Sequence, residues 1–156
     1  AIVAYEPGAC VFPSDDIPKD LTPSPLELVN DHQGPLVVPP EEFNRLTKMP
    51  ILIIYGDNIA KEKSTNFNSE VWRVASHRAR QMVERINARG GDARLLILPE
   101  AGIRGNTHAP FADLNNLEIA KILEDFLHEK GLDGRENPHQ GPQPKGLTEY
   151  TIPLAQ

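Results

Sequence analysis

The sequence predicts an α/β fold with about three parallel strands and flanking helices, and three observations carry that expectation. Ile51-Leu52-Ile53-Ile54-Tyr55 is an uninterrupted apolar run of strand length closed by Gly56-Asp57, and a strand apolar on both faces belongs inside a parallel sheet. A helical pattern follows it, and a second apolar run, Ala93 to Leu98, follows the helix. Strands that alternate with helices imply parallel pairing through crossovers.

Taken in order, Ala1-Ile2-Val3-Ala4-Tyr5 reads as a short strand that Glu6-Pro7-Gly8 ends sharply, since proline lacks a ladder donor and glycine permits a tight turn. From residue 9 to 50 prolines come densely and no period of 3.6 or 2 survives. This predicts an extended surface excursion with one short helix near Pro40 to Leu46, serving as a lid or pocket wall. A structureless excursion is the alternative. A loop from Asn58 to Asn68 follows the central strand. Val71, Val74, Ala75, Ala79, Met82, Val83 and Ile86 then fall at helical spacing with charges on the other face, capped by Ser69 and ended by Gly90-Gly91. Phe67 and Trp72, after a strand end, are candidates for a substrate-pocket wall or for plain core packing. Leu117, Ala120, Leu123, Phe126 and Leu127 trace a second amphipathic helix closed by Gly131. Two helices leave a sheet this apolar short of cover, so further layers are expected. The organisation is one domain portion over 1–132 and a polar, proline-rich tail over 133–156, where Tyr150-Thr151-Ile152 could form an edge strand.

Composition narrows the function. A formal net charge of −6 and a pI near 5.3 argue against nucleic acid or an anionic membrane as partner, because both select basic patches. No apolar run approaches a membrane span of roughly 20 residues. Cys10 is the single cysteine. It reads as a free buried thiol or as one end of a bridge to another segment. The compartment therefore stays open, and a bridge would favour a secreted or periplasmic setting. His32, His77, His128 and His139 show no ligand spacing, so no metal is expected, and His77 and His128 sit on otherwise charged helix faces. Gly102-Ile103-Arg104-Gly105 lacks the dinucleotide fingerprint, and no cofactor is expected.

Glu6, Asp57 and His108 each stand just after a strand, His108 within a glycine-rich loop. Ends of parallel strands lie side by side at one sheet edge, so such residues can converge. A carboxylate on one imidazole nitrogen sets the tautomer while the other nitrogen activates a hydroxyl. Asp57 reads equally well as a loop-capping carboxylate.

The run Ile51 to Asp57, the loop Gly105-Asn106-Thr107-His108 and the helix from about Asn115 to Lys130 resemble the seventh strand, the histidine loop and the closing helix of an α/β-hydrolase. Glu6-Pro7-Gly8 after a strand, with Gly-Asn-x-His followed by Asn115-Asn116-Leu117, resembles a small branch of bacterial-type esterases whose triad acid is a glutamate after strand six. The resemblance covers roughly residues 1 to 132. It implies the C-terminal half of an α/β-hydrolase sheet, completed by an N-terminal part or a second chain. It implies His108 as general base, Glu6 as its acid with Asp57 in reserve, and a small carboxylic ester as substrate.

The nucleophile elbow of that family, Gly-x-Ser-x-Gly, does not occur here. Ser14, Ser24, Ser64, Ser69 and Ser76 are the serines, and none has the flanking glycines. A partner segment carrying that elbow is the expectation, with a processed two-part enzyme as the assembly and a homo-oligomer left open. The competing expectation is a non-catalytic α/β subunit or binding module, because fold does not dictate function. A Rossmann-like cofactor domain ranks last.

Overall fold

The computed structural model describes residues 1–18 and 24–134. The expected tail over 133–156, including Tyr150 to Ile152 and His139, lies almost wholly outside the described residues. The architecture is mixed α/β. Strands β1 (Ile2–Tyr5), β4 (Pro50–Tyr55) and β5 (Asp92–Ile97) form a three-stranded sheet in the order β1-β4-β5. Both pairings are parallel, with Tyr5 opposite Ile54 and Tyr55 opposite Ile97.

The central strand alternates cleanly between two cores. Ile51, Ile53 and Tyr55 face one core with Ala79 and Ile86 of helix α3 (Phe67–Ala88). Leu52 and Ile54 face the other, with Ile119 and Phe126 of helix α4 (Asn116–Glu129). Residues 51 to 55 are at most 4% exposed, and each such side chain contributes about 1.5–3 kcal/mol on burial.

The excursion over 9–50 differs from the expectation of an irregular surface segment. It holds strand β2 (Val11–Pro13), helix α1 (Glu27–His32), strand β3 (Leu36–Val38), helix α2 (Pro40–Phe43) and a 3-10 turn (Asn44–Lys48). β2 and β3 pair in parallel as a second, two-stranded sheet. Three-residue strands are too short to show a period. Isolated apolar anchors do the packing: Phe12 and Phe43 enter the core with β4, and Val29 packs on Val71 and Val74. The excursion thus supplies the layer that two helices lacked, and both faces of β4 are covered.

Helix α3 departs from the expected one-sided amphipathic pattern. Its cap is Asn66, whose side chain accepts from the Ser69 amide at 3.0 Å, so the helix starts before Ser69. Glu70, Arg73, Arg78 and Gln81 are buried, because the excursion packs where solvent was expected. Glu70 is fully buried. It takes two bonds from Arg73, at 2.9 and 2.5 Å, and one from the Ser64 amide at 2.8 Å. A buried carboxylate persists only with such pairing. The Arg73 bonds, opposed by burial and helped by Ser64 and Ser24, hold the Glu70 carboxyl down to about 2 from an ordinary 4.5. Its folded pKa lies below the unfolded value, so its stabilisation is present above about 4.5 and lost as pH falls toward about 2. Urea unfolding across that window is therefore expected to show a steep acid limb that flattens in Glu70→Gln. An acid limb unchanged in the variant would contradict this account.

Candidate active site

The site begins with a strained residue. Glu6 follows β1 with φ +43°, the one non-glycine positive φ among the described residues, a conformation that costs an ordinary residue about 1–2 kcal/mol. Its amide extends the ladder by donating to Ile54 O at 2.8 Å. The buried Tyr55 hydroxyl donates to Pro7 O at 2.7 Å and pins the turn behind it. Burial pushes the Tyr55 hydroxyl well above its usual range, so it remains a donor.

The carboxylate of Glu6, in a residue 5% exposed, uses its two oxygens differently. Oε1 accepts from the Gly56 amide at 2.7 Å. Oε2 lies 2.9 Å from His108 Nδ1. The imidazole is more than half exposed, and the Trp72 ring lies 4.3 Å from it, centroid to centroid, at 41°. Glu6 and His108, 102 residues apart in the chain, thus share a hydrogen bond at the sheet edge.

The loop that delivers His108 is fastened at several points. Gly105 has φ +87°, and its amide donates to Asp57 Oδ2 at 2.6 Å. Asn106 is 1% exposed and exchanges amide bonds with Asn115, at 2.8 and 3.1 Å. Asp113 accepts from the Thr107 amide at 2.7 Å and from its hydroxyl at 2.9 Å. The Thr107 amide bond is the largest influence holding the Asp113 carboxyl below its usual range. Gly56 lets this loop lie against the strand tip: a Cβ there would stand 2.8 Å from Thr107 O, 3.1 Å from Asn106 O and 3.0 Å from Glu6 Oε1.

Of the residues singled out in the sequence, Glu6, His108 and Trp72 meet. Asp57 bonds Gly105, and no bond joins it to the imidazole among the described residues. Phe67 sits in the first turn of α3, 40% exposed, with its ring 6.5 Å from that of His32. Cys10 is a buried free thiol whose pKa burial pushes up to about 12, which makes it a poor nucleophile. His128 is exposed and pairs with Asp133 at 2.6 Å. His77 departs from the expected solvated position, as its Nε2 is buried without a partner. Asp113 escaped sequence reasoning. An acid two residues before the helix-capping Asn115 was the available signal.

Gly56→Ala tests the close approach. Its methyl group must push back backbone that has no room, and overpacking of this kind costs about 1–3 kcal/mol. Chemical unfolding should show that loss, and the NMR signal of a carboxylate-bonded His108 Nδ1 proton should weaken. A variant as stable as the parent with that signal intact would refute the close approach.

No protein-family model and no curated protein sequence matches the chain. Among solved structures, the chain is similar to a novel bacterial esterase determined at atomic resolution. The identity is 30% and the TM-score 0.50, over 58% of this chain and 26% of that one. The chain thus matches about a quarter of that esterase's length. The small parallel sheet and its flanking helices are consistent with part of an α/β-hydrolase-like fold, and the chain has an esterase as a structural neighbour.

Proposed function

We propose that this chain contributes the base and the orienting acid of a serine esterase whose nucleophile lies in another segment. The observation that carries the reading is the 2.9 Å contact between His108 Nδ1 and Glu6 Oε2. In this reading Glu6 accepts a hydrogen bond from Nδ1–H, which keeps that proton on the ring and leaves Nε2 as the basic nitrogen on its open side. His108 then takes the proton of an incoming serine hydroxyl as that oxygen attacks the ester carbonyl. The imidazolium, stabilised by Glu6, returns the proton to the leaving alcohol. Water, activated by the same nitrogen, resolves the acyl-enzyme.

The other parts follow from that geometry. The Gly56 amide holds Oε1 of Glu6, so the carboxylate cannot swing away from the ring. Trp72 covers the imidazole and limits its rotation. Asp57 acts through the loop, as its Gly105 bond helps place His108. The oxyanion donors, like the serine, would come from outside this chain, since one is the amide after the nucleophile. The esterase likeness supports the ester class. The lack of an elbow serine in this chain favours the second reading, a non-catalytic module on the same scaffold.

The complete protein decides between them. A fluorophosphonate probe should label a serine outside this chain, and absence of labelling would favour the module. His108→Ala should lower kcat by roughly 10³-fold or more without loss of the folded state, and near-normal turnover would reject the proposal. Glu6→Gln should cost roughly 10³–10⁴-fold by presenting the wrong proton to the ring. Asp57→Asn should cost far less, because an amide oxygen can still accept from Gly105. The reverse ranking of those two variants would make Asp57 the acid.

A further inference from the structure

Trp72 is the single tryptophan of the chain, and its indole is held in place against His108. It lies in the second turn of α3 and packs against the core cluster that contains Ile53 and Tyr55. A Cβ on Gly8 would stand 4.0 Å from its Cη2, so the turn after Glu6 also borders the ring. The buried Glu70–Arg73 pair flanks it in the helix and stiffens that turn.

The contact with the imidazole is a tilted stack. The ring centroids are 4.3 Å apart at 41°, closer than the roughly 4.5–7 Å usual for aromatic pairs. The edge contact between Tyr5 and Phe111, by comparison, stands at 5.7 Å and 69°. Glu6 Oε2 meets Nδ1 at 2.9 Å, in the plane of the ring, so carboxylate and indole approach the same imidazole from different directions. A cation within about 6 Å of an indole centroid is attracted by the ring quadrupole, and a neutral ring gains much less.

Resting on the reading of His108 as the base, we infer that Trp72 is a positioning residue that stabilises the imidazolium. Its π face favours the charged ring that exists while the proton is in transit over the neutral ring that precedes and follows it. An interaction stronger in the charged state than in the resting one lowers the barrier and leaves substrate binding alone. This differs from a pocket wall, which would act on KM. It differs also from steric cover, which is indifferent to the electron density of the indole.

Replacing Trp72 in the complete protein by mono-, di-, tri- and tetrafluorotryptophan drains the π face with little change of shape. The expected result is a stepwise fall in kcat that reaches roughly 2- to 30-fold while KM stays constant. Trp72→Leu should lose about as much as the tetrafluoro protein, and Trp72→Phe less. The fluorine NMR signal of the monofluoro protein should move on acidification and cease to respond in His108→Gln. A kcat that is flat across the series would overturn the inference. So would a KM that takes up the change, or a fluorine signal indifferent to His108. A complete protein that keeps the His108-dependent signal but is not labelled by a fluorophosphonate would reject the esterase reading while supporting the Trp72 contact.

Discussion

The carboxylate of Glu6 ties together three parts of the chain. One oxygen holds the amide of Gly56 at the tip of β4, and the other meets His108 Nδ1. The contact exists because β1 and β4 run in register, Tyr5 against Ile54, which sets Glu6 beside the residue that follows β4. It also needs a left-handed backbone at Glu6 and a glycine at 56, where any side chain would collide with Thr107 and Asn106. The strain at one position and the missing Cβ at the other serve the same close approach.

Around that contact, polar braces add to the apolar cover that Trp72 gives the imidazole. The His108 loop is held by Asp57, Asp113 and Asn115 through hydrogen bonds to its own amides and side chains. Hydrogen bonds have directions, and a loop held by several cannot drift without breaking one. This suits a residue that must present one ring nitrogen to a carboxylate and the other to a reacting group. It also explains why the imidazole can be more than half exposed yet placed.

Helix α3 borders both the His108 imidazole and a cavity beside the tip of β4. Trp72 reaches the imidazole of His108, and the two turns that follow it line the cavity between α3 and the loop after β4 with Arg73, Ser76, His77 and Arg80. Asp57 also borders that cavity, with Oδ2 on the Gly105 amide and Oδ1 buried without a partner among the described residues.

What the sequence determined by itself was local in origin. The run Ile51 to Tyr55 reads as a buried central strand, the spacing from Val71 to Ile86 and from Leu117 to Leu127 reads as helical, and Glu6 and Asp57 read as residues that follow strands, whereas His108 stands beyond both β5 and the 3-10 turn Leu98–Ala101. Periodicity and turn chemistry are properties of neighbouring residues, so they are legible without the fold. The tertiary structure alone decided the rest: that the excursion over 9–50 carries a second sheet, that Glu70, Arg73 and Arg78 of α3 are buried, and that Glu6 rather than Asp57 touches the imidazole. Each of these depends on which distant surface arrives opposite a residue: Arg78 looks solvent-bound until the excursion brings Gln33 O to 3.1 Å from its Nε, and Glu70 until Ser64 and Arg73 close on it. Choosing between two carboxylates likewise requires their distances to one nitrogen, and strand register supplies those only when the sheet is assembled.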